Sequence, residues 1–393
     1  MLVFSRLYPL RKKSIIGFEA LCRGINIETR EVLPPGLLFE SARSENFTLE
    51  LDRLCRKKAL EGYKAAHTEN DNFILFLNLD TSIIDFGVVG SGHLLNLINA
   101  LGVEPNNVVI EIVESNTEDV NSLERFIKSY KGYGFLTALD DVGCGYSNLD
   151  RVALVKPDIL KIDMGIISNI NKFFYKQEIF KSLVSLSKRI GALVVAEGVE
   201  REEEALVALE LGADMLQGFY FSKPQENMLN MVNDIDCKTS KIAHNFNDYI
   251  INKIKISKLL HRNYNIILDS IIYELSKITL ENFDSKLREV IRKYPALECI
   301  YIINENGVQV TETICSQAVA VKRGKIYVPA KKGTEHSLKD YYYYLVSTGS
   351  KKFTTDPYIS LASGNLCITI SSFFENFNFD RYILCIDINK EEK

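Results

Sequence analysis

Short β-rich runs alternate with helical stretches over the first 225 or so residues, and this alternation restricts the fold more than any other feature. The predicted strands cover residues 2–7, 15–21, 73–79, 108–113, 135–139, 159–162, 193–196 and 215–221. Strands that alternate with helices indicate a mainly parallel sheet, and eight of them indicate a closed (β/α)8 barrel of the TIM type. The first two are joined by the turn at 9–14, which is too short for a helical crossover. We therefore expect an antiparallel first strand.

The pattern changes after about residue 225. A chain of 393 residues is also too long for a single hydrophobic core of ordinary size, so we expect more than one domain. Helical spacing covers residues 240–277 and 283–294. Strand signals follow at 298–304, 308–313, 325–328, 366–374 and 382–388, with a hairpin turn predicted at Asn306-Gly307. Helices followed by antiparallel strands indicate an α+β domain. We predict a barrel at 1–228, a helical connector at 229–285 and an α+β domain at 286–393.

Charge and cysteine content exclude several classes of protein. A net charge of −4 gives no reason to expect DNA or another polyanion held by bulk electrostatics. The eight cysteines are scattered without a C-x-x-C pair, which argues against a zinc site and suits a reducing compartment. The N-terminus lacks a signal-peptide pattern, and no apolar run approaches the ~20 residues of a membrane helix. We expect a cytoplasmic protein.

Acidic and amide side chains, together with one lysine, stand at the ends of seven of the eight predicted strands. They are Glu19, Asn78, Glu111, Glu114, Asp140, Asp141, Lys161, Asp163, Glu197, Glu200 and Gln217. In a parallel barrel these ends converge on one pocket. A single polar residue in an apolar strand is more often a buried hydrogen-bonding group than a metal ligand. That explanation does not account for polar residues at the ends of seven strands. So many carboxylates together need divalent cations, and oxygen ligands favour magnesium or manganese.

The adjacent acids Asp140 and Asp141 are the centre of this set. Neighbouring side chains on a strand point to opposite faces, so these two can converge only where the strand ends. Two anions at such a short distance repel each other unless a cation lies between them. The alternative is an ordinary strand end followed by an Asx-type turn.

Residues 1 to about 225 resemble the EAL domain, the cyclic-di-GMP phosphodiesterase family of bacterial signalling proteins. The matching motifs are Glu19-Ala20-Leu21 with Arg23, Lys-Ile-Asp at 161–163, Val-Ala-Glu-Gly-Val-Glu at 195–200 and Gln-Gly-Phe-Tyr-Phe-Ser-Lys-Pro at 217–224. The resemblance implies hydrolysis of cyclic-di-GMP to linear pGpG with two Mg²⁺ or Mn²⁺ ions. Two departures are Val142, where the family usually has phenylalanine, and Tyr8, which we align with a substrate-contacting glutamine.

The resemblance also implies roles for single residues. One metal would be held by Glu19, Asn78, Glu111 and Asp140, and Asp140 would bridge to a second metal held also by Asp141. Glu197 is either a further metal ligand or a general base. Lys161 would orient the attacking water or stabilise charge on phosphorus. The rival interpretation is a structural lysine paired with Asp163, and the two roles are compatible.

The remaining predicted residues bind substrate or control the site. Arg23 offers a planar fork for the phosphate that is not cut, with a surface salt bridge as the alternative. Leu21, Asp163 and Gln217 complete the predicted substrate contacts. Glu114 would anchor the loop 141–148 and couple the site to the interface of a homodimer.

The C-terminal segment 358–371 resembles Cache/PAS-type sensor domains that follow some Bacillus-type EAL proteins. This resemblance implies regulation by an unknown small molecule. The aromatic run 341–344 would line its pocket or, as the alternative, pack as a helix on the sheet. Overall we favour a working phosphodiesterase over a non-hydrolysing cyclic-di-GMP receptor, because degenerate members usually lose a metal ligand and none is missing here.

Overall fold

A computed structural model describes residues 1–9, 15–69, 72–86, 91–112, 120–144, 149–233, 237–317 and 326–390. The chain divides into two compact units, Met1–Lys253 and Ile254–Lys393. This boundary falls inside one long helix. The three-part division at residues 228 and 285 stays a prediction. Within the described residues, none of the helices is both long enough and apolar enough to cross a bilayer.

The first unit contains a closed eight-stranded barrel. Its strands are β1 (Leu2–Pro9), β2 (Gly17–Cys22), β3 (Ile74–Leu79), β4 (Val108–Ile112), β5 (Leu136–Val142), β6 (Ile159–Ile162), β7 (Leu193–Ala196) and β8 (Met215–Leu216). They close in the order β1-β8-β7-β6-β5-β4-β3-β2. Strands β2 to β8 run parallel, and β1 is antiparallel to both its neighbours. The predicted barrel and its antiparallel first strand are confirmed.

Helices and short ribbons surround these strands. The helices are α1 (Pro35–Ser44), α2 (Thr48–Glu69), α3 (His93–Leu101), α4 (Val120–Gly132), α5 (Leu149–Val155), α6 (Met164–Ile167), α7 (Phe174–Ile190), α8 (Glu202–Leu211), α9 (Met228–Asn233) and α10 (Cys237–Leu275). Gly24–Ile25 pairs with Val32–Leu33, and 3-10 turns form at Thr81–Phe86 and Pro105–Asn107.

Apolar side chains fill the barrel and cover its outside. Seven strands each contribute one residue to an interior cluster, which consists of Leu7, Phe76, Val109, Ala138, Ile159, Val195 and Met215. The outward-facing residues pack against the helices in two larger clusters. A filled barrel cannot hold substrate in its interior, so any site must lie at a rim.

Two barrel strands differ from their predicted bounds by three residues or more at one end. β8 ends at Leu216 rather than at residue 221, because the chain turns away at Gly218, whose φ is +157°. A Cβ atom there would lie 2.2 Å from the carbonyl oxygen of Val199, so the close approach requires glycine. β5, in contrast, continues to Val142.

The second unit is an antiparallel sheet with helices on its faces. It contains α11 (Phe283–Lys293), α12 (Asp340–Thr348), the 3-10 turn Leu280–Asn282, and strands β9 (Leu297–Asn304), β10 (Ile314–Cys315), β11 (Lys352–Thr354), β12 (Tyr358–Ile359), β13 (Leu366–Glu375) and β14 (Arg381–Asn389). The order is β10-β9-β14-β13-β11, and β12 pairs with β13. The end of α10 and α11 pack on one face, and α12 packs on the other.

Two predictions for this unit are wrong, and one alternative holds. Residues 308–313 form isolated bridges instead of a strand, because side chains replace ladder partners: the Thr311 hydroxyl accepts from Ile302 N–H, and the Gln309 amide donates to Thr311. In the predicted strand 325–328, residue 325 lies outside the described residues and 326–328 form no strand. In the aromatic run, Tyr341 is buried against the sheet, as the helix-packing alternative expects.

Cys299 and Cys315 form a disulfide that the sequence reasoning missed. They lie opposite each other on β9 and β10, and their sulfur atoms are bonded. They are 16 positions apart in the sequence, and no short cysteine motif marks the pair. The pairing follows from strand register, which the scattered cysteines did not indicate.

Candidate active site

A buried lysine marks the point where the carboxyl ends of the barrel strands converge. Lys161 on β6 is 1% exposed. Its Nζ lies 2.5 Å from Glu111 Oε1, 2.7 Å from Glu197 Oε1, 3.1 Å from Asp140 Oδ1 and 3.7 Å from Glu19 Oε1. These four acids come from β2, β4, β5 and the residue after β7. The alternative pair for Lys161, Asp163, instead caps α6 by accepting from Gly165 N–H at 2.7 Å.

One ammonium group does not neutralise four carboxylates. Burial and the neighbouring acids raise the pKa of both Glu111 and Glu197 well above its usual range. Burial disfavours the charged form of Lys161, but the four carboxylates outweigh it and raise the lysine pKa. Among the residues that the structure describes, neither oxygen of Glu111 has a hydrogen-bond partner, although one lies 2.5 Å from the ammonium group. The site therefore has surplus negative charge and unused oxygen ligands.

These oxygens fit two divalent cations. Among the described residues, ligand atoms lie within 4.8 Å of one another in two groups: Glu19 with Glu111 and Asp140, and Asp140 with Asp141 and Glu197. Asp140 belongs to both groups, as a bridging ligand must. Carboxylate oxygens without competing nitrogen or sulfur ligands suit Mg²⁺ or Mn²⁺. The donor set therefore fits the cofactors that the sequence indicated.

The backbone of β5 brings Asp140 and Asp141 together. Pairing with β6 is irregular between Leu139 and Val142, and Asp141 adopts a left-handed φ of +54°. This break in the pleat lets adjacent side chains face the same site. The Asp140 carboxylate also accepts from Asp141 N–H at 3.0 Å. Burial and the charge of Asp140 raise the pKa of Asp141 to about 6.

Two amide side chains hold Glu19 from either side. Asn78, which lies directly beside Glu111 in the sheet, donates to Glu19 Oε1 at 3.2 Å. Gln217 donates to Glu19 Oε2, and its own buried Oε1 has no partner in the described structure. Asn78 thus lies where a metal-ligand amide is expected, while a substrate role for Gln217 stays a prediction.

A cavity of about 570 Å³ opens over the acids. Its lining includes the predicted residues Glu19, Leu21, Arg23, Asn78, Asp140 and Asp141. The Arg23 guanidinium donates to the carbonyl of Cys22 at 2.7 Å. Arg43 and Arg56 also line the cavity, and sequence reasoning missed them because they lie on α1 and α2, where no strand end marked them.

The structure leaves two further predictions untested. Ser5 is the residue opposite Glu19 on β1, and Tyr8 pairs with Leu216 and packs against Phe221. The alignment of Tyr8 with a substrate-contacting glutamine stays a prediction. Glu114 and residues 145–148 of the predicted coupling loop lie outside the described residues.

Comparison with known proteins gives a consistent result. The profile of the EAL domain family matches residues 3–224. The EAL-domain containing protein YkuI of Bacillus subtilis is 25% identical over 381 residues, covering 94% of this chain and 90% of YkuI. The cyclic di-GMP phosphodiesterase PdeA of Borreliella burgdorferi is 28% identical over 228 residues, covering 57% of this chain but only 33% of PdeA.

Two solved structures are similar. The crystal structure of B. subtilis YkuI in complex with c-di-GMP and calcium matches with a TM-score of 0.78 at 23% identity, covering all of this chain and 96% of YkuI. This likeness shows the fold of both units. The manganese/cy-diGMP complex of Klebsiella pneumoniae BlrP1 matches with a TM-score of 0.51 at 28% identity, covering 57% of this chain and 55% of BlrP1.

Proposed function

Because the chain belongs to the EAL domain family, we propose that it hydrolyses cyclic-di-GMP to linear pGpG with the help of two divalent ions. The observation that carries the proposal is the convergence of Glu19, Glu111, Asp140 and Glu197 on one point at the carboxyl rim of the barrel. Similar proteins named as cyclic di-GMP phosphodiesterases, such as PdeA, support the choice of substrate.

The proposed metal ligands follow the EAL family pattern and the two groups of carboxylates at the rim. Glu19, Asn78, Glu111 and Asp140 would hold one ion, and Asp140 and Asp141 the other. Bound divalent ions neutralise the phosphodiester and lower the pKa of a water molecule between them. The filled barrel below the acids keeps the substrate at the rim, where the cavity of about 570 Å³ is open.

The chain's own residues orient the reactants. The Lys161 ammonium lies within 3.1 Å of three carboxylates. Once metal ions hold these acids, the ammonium would donate to a water or a phosphoryl oxygen. Glu197 would take a proton from the attacking water as the general base, or would act as a ligand of the second ion. Arg23 would move from the Cys22 carbonyl to the phosphate that is not cut. Leu21, Asp163 and Gln217 would position the rest of the nucleotide.

A hydrolysis assay tests the proposal. We expect full-length protein with Mg²⁺ or Mn²⁺ to convert cyclic-di-GMP to pGpG, and EDTA to stop the reaction. Chromatography of the nucleotides measures both species. Turnover that survives chelation would contradict the two-ion assignment. Binding without product in either metal would instead identify a cyclic-di-GMP receptor.

We further propose that the chain is a homodimer whose C-terminal unit regulates the barrel. An exposed apolar patch of Phe174, Tyr175 and Ile179 supports self-association. Glu114 would link the metal site to this interface through the loop 141–148, so Glu114→Ala should weaken both turnover and metal affinity. Sedimentation equilibrium and turnover against Mn²⁺ concentration test the two parts. A monomer, or an unchanged metal dependence, would contradict the corresponding part.

A further inference from the structure

Two cysteine side chains meet at the wall of the active-site cavity. Cys22 ends β2, three residues after Glu19, and Cys55 lies on α2. The two thiols are close enough for each to shift the pKa of the other. Both are half-buried, and both line the cavity that the proposed substrate would enter. A small oxidant in the cavity can therefore reach both sulfur atoms.

The two thiols differ in acidity. The neighbouring Cys55 thiol and the positive charge of Arg23 outweigh burial and lower the pKa of Cys22 to about 7. The Cys22 side chain in turn raises the pKa of Cys55 above its usual range. Near neutral pH, Cys22 therefore supplies the nucleophilic thiolate while Cys55 keeps its proton. An attacking thiolate beside a second thiol is the arrangement that disulfide formation requires.

The three other free cysteines whose side chains the structure describes have different surroundings. Cys367 and Cys385 are buried, and burial raises the pKa of each thiol. Cys144 is exposed on the turn after β5. These contrasts make Cys144 a useful reference thiol: it is more accessible than Cys22, so any preference of an oxidant for Cys22 must come from its chemistry.

We infer that Cys22 and Cys55 form a site of reversible oxidation, at which a peroxide converts the two thiols into a disulfide. The Cys22 thiolate attacks one oxygen of hydrogen peroxide, the O–O bond breaks, and the other oxygen leaves as hydroxide, which takes up a proton to form water. The sulfenic acid on Cys22 is then attacked by the Cys55 sulfur, which loses its proton as a second water departs. Two thiols lose two electrons, and the peroxide gains them. A dithiol such as dithiothreitol reverses the change by thiol–disulfide exchange.

The disulfide would act on the neighbouring arginine. Arg23 donates to the carbonyl oxygen of Cys22 at 2.7 Å, so moving Cys22 toward α2 moves the anchor of the guanidinium. This consequence rests on the proposed function, in which Arg23 binds the uncut phosphate. Oxidation should then raise KM for cyclic-di-GMP several-fold and leave kcat nearly unchanged, because the metal ligands remain in place.

Peptide mapping of the full-length protein tests the site itself. Protein reduced with dithiothreitol is treated with hydrogen peroxide, blocked with iodoacetamide, digested and analysed by mass spectrometry. We expect a linked peptide pair containing Cys22 and Cys55 that dithiothreitol abolishes. Cys55→Ser should give no link and leave a Cys22 sulfenic acid that dimedone traps. Cys144→Ser, the matched control, should still form the link.

Two results would overturn the inference. One is alkylation of both Cys22 and Cys55 at a peroxide concentration that oxidises Cys144. The other is a link from Cys22 to any other cysteine. A kinetic experiment compares KM for cyclic-di-GMP before and after peroxide treatment in wild type and in Cys55→Ser. The KM of Cys55→Ser should not change, and an equal rise of KM in both proteins would contradict the proposed effect of the disulfide on Arg23. Absence of phosphodiester hydrolysis would contradict the proposed function, while the peptide map would still decide the disulfide.

Discussion

Lys161 occupies the place where four carboxylates would otherwise face each other without compensation. A fully buried ammonium group loses its hydration, and the nearby acids have to make up for that loss. In the metal-free protein it therefore holds together the same side chains that would bind the ions. The residue would therefore have a structural role besides the catalytic one that we propose.

Replacing this lysine should separate the two roles. In Lys161→Met, the buried acids lose their cation, so we expect the free energy of unfolding without metal to fall by about 3–5 kcal/mol. Mn²⁺ should restore part of the lost stability, because divalent ions supply positive charge at the same point. Thermal unfolding with and without Mn²⁺ measures both effects. The exposed Lys172→Met is the control, and an unchanged melting temperature without metal would disprove the role given to Lys161.

Asp140 should be the most sensitive of the acids, because it belongs to both groups of metal ligands. Asp140→Asn removes the bridging charge, so we expect turnover of cyclic-di-GMP to fall at least about 10²-fold. Glu19→Gln should have a similar effect through one ion alone. Steady-state kinetics at saturating Mn²⁺ measure the loss, with the exposed Asp150→Asn as control. Rates near the wild-type value in either site variant would refute the ligand assignment.

At the scale of elements, the loop after β7 depends on one buried acid of α8. Glu204 is 1% exposed and accepts from the backbone N–H groups of Asn169, Glu200 and Arg201, and from the Arg201 guanidinium. Burial alone would raise its pKa, but these hydrogen bonds prevail and lower it. The carboxylate thus fastens the loop that carries Glu197.

Glu204→Gln should weaken this attachment. We expect the free energy of unfolding at pH 7 to fall by about 1–3 kcal/mol, because an amide oxygen accepts these bonds less strongly than a carboxylate. A lowered folded-state pKa adds stability above the unfolded value of about 4.5 and loses it as pH falls through the folded-state pKa. The difference between the two proteins should therefore shrink below about pH 4. Urea unfolding at pH 7 and below about pH 4 measures the difference in free energy of unfolding between the two proteins. The exposed Glu203→Gln should neither lower the stability at pH 7 nor change its dependence on pH.

Elements built on continuous apolar runs could be predicted from sequence, and those decided by local tertiary contacts could not. The barrel strands were located because short apolar runs recur between helical stretches, and seven of the eight runs end in polar residues. β8 was overestimated because Gly218 gives no sign of how closely Val199 approaches it. The acids at strand ends were found for the same reason as the strands. Arg43 and Arg56 were missed because helix residues reach the cavity only through the fold.

At the scale of the whole molecule, the two units stabilise their buried acidic groups with different partners. The barrel unit surrounds one lysine with acids. The C-terminal unit buries Glu298 and Asp387, and neither forms an ion pair with a residue that the structure describes. Hydroxyl groups take the place of cations: Thr369 donates to Asp387 at 2.7 Å, and Ser363 donates to Glu298. Burial raises the pKa of Asp387 to about 7.

This raised pKa predicts how the stability of the C-terminal unit depends on pH. Between the unfolded value of 3.8 and the folded value of about 7, folded protein binds more protons than unfolded protein, so stability falls as pH rises through this window. Asp387→Asn keeps an acceptor for Thr369 but cannot ionise. The variant should be more stable than wild type at pH 8 by about 2–4 kcal/mol, and the two should differ much less at pH 5.

Hydrogen exchange of the amide groups in β13 and β14 measures the stability of the C-terminal unit within the whole chain. The barrel strands serve as an internal reference. The exposed Asp356→Asn controls for the loss of one negative charge and should follow wild type at both pH values. A difference between Asp387→Asn and wild type that is the same at pH 5 and pH 8 would show that Asp387 does not titrate in this range. Its burial would then be compensated by a partner other than the proton.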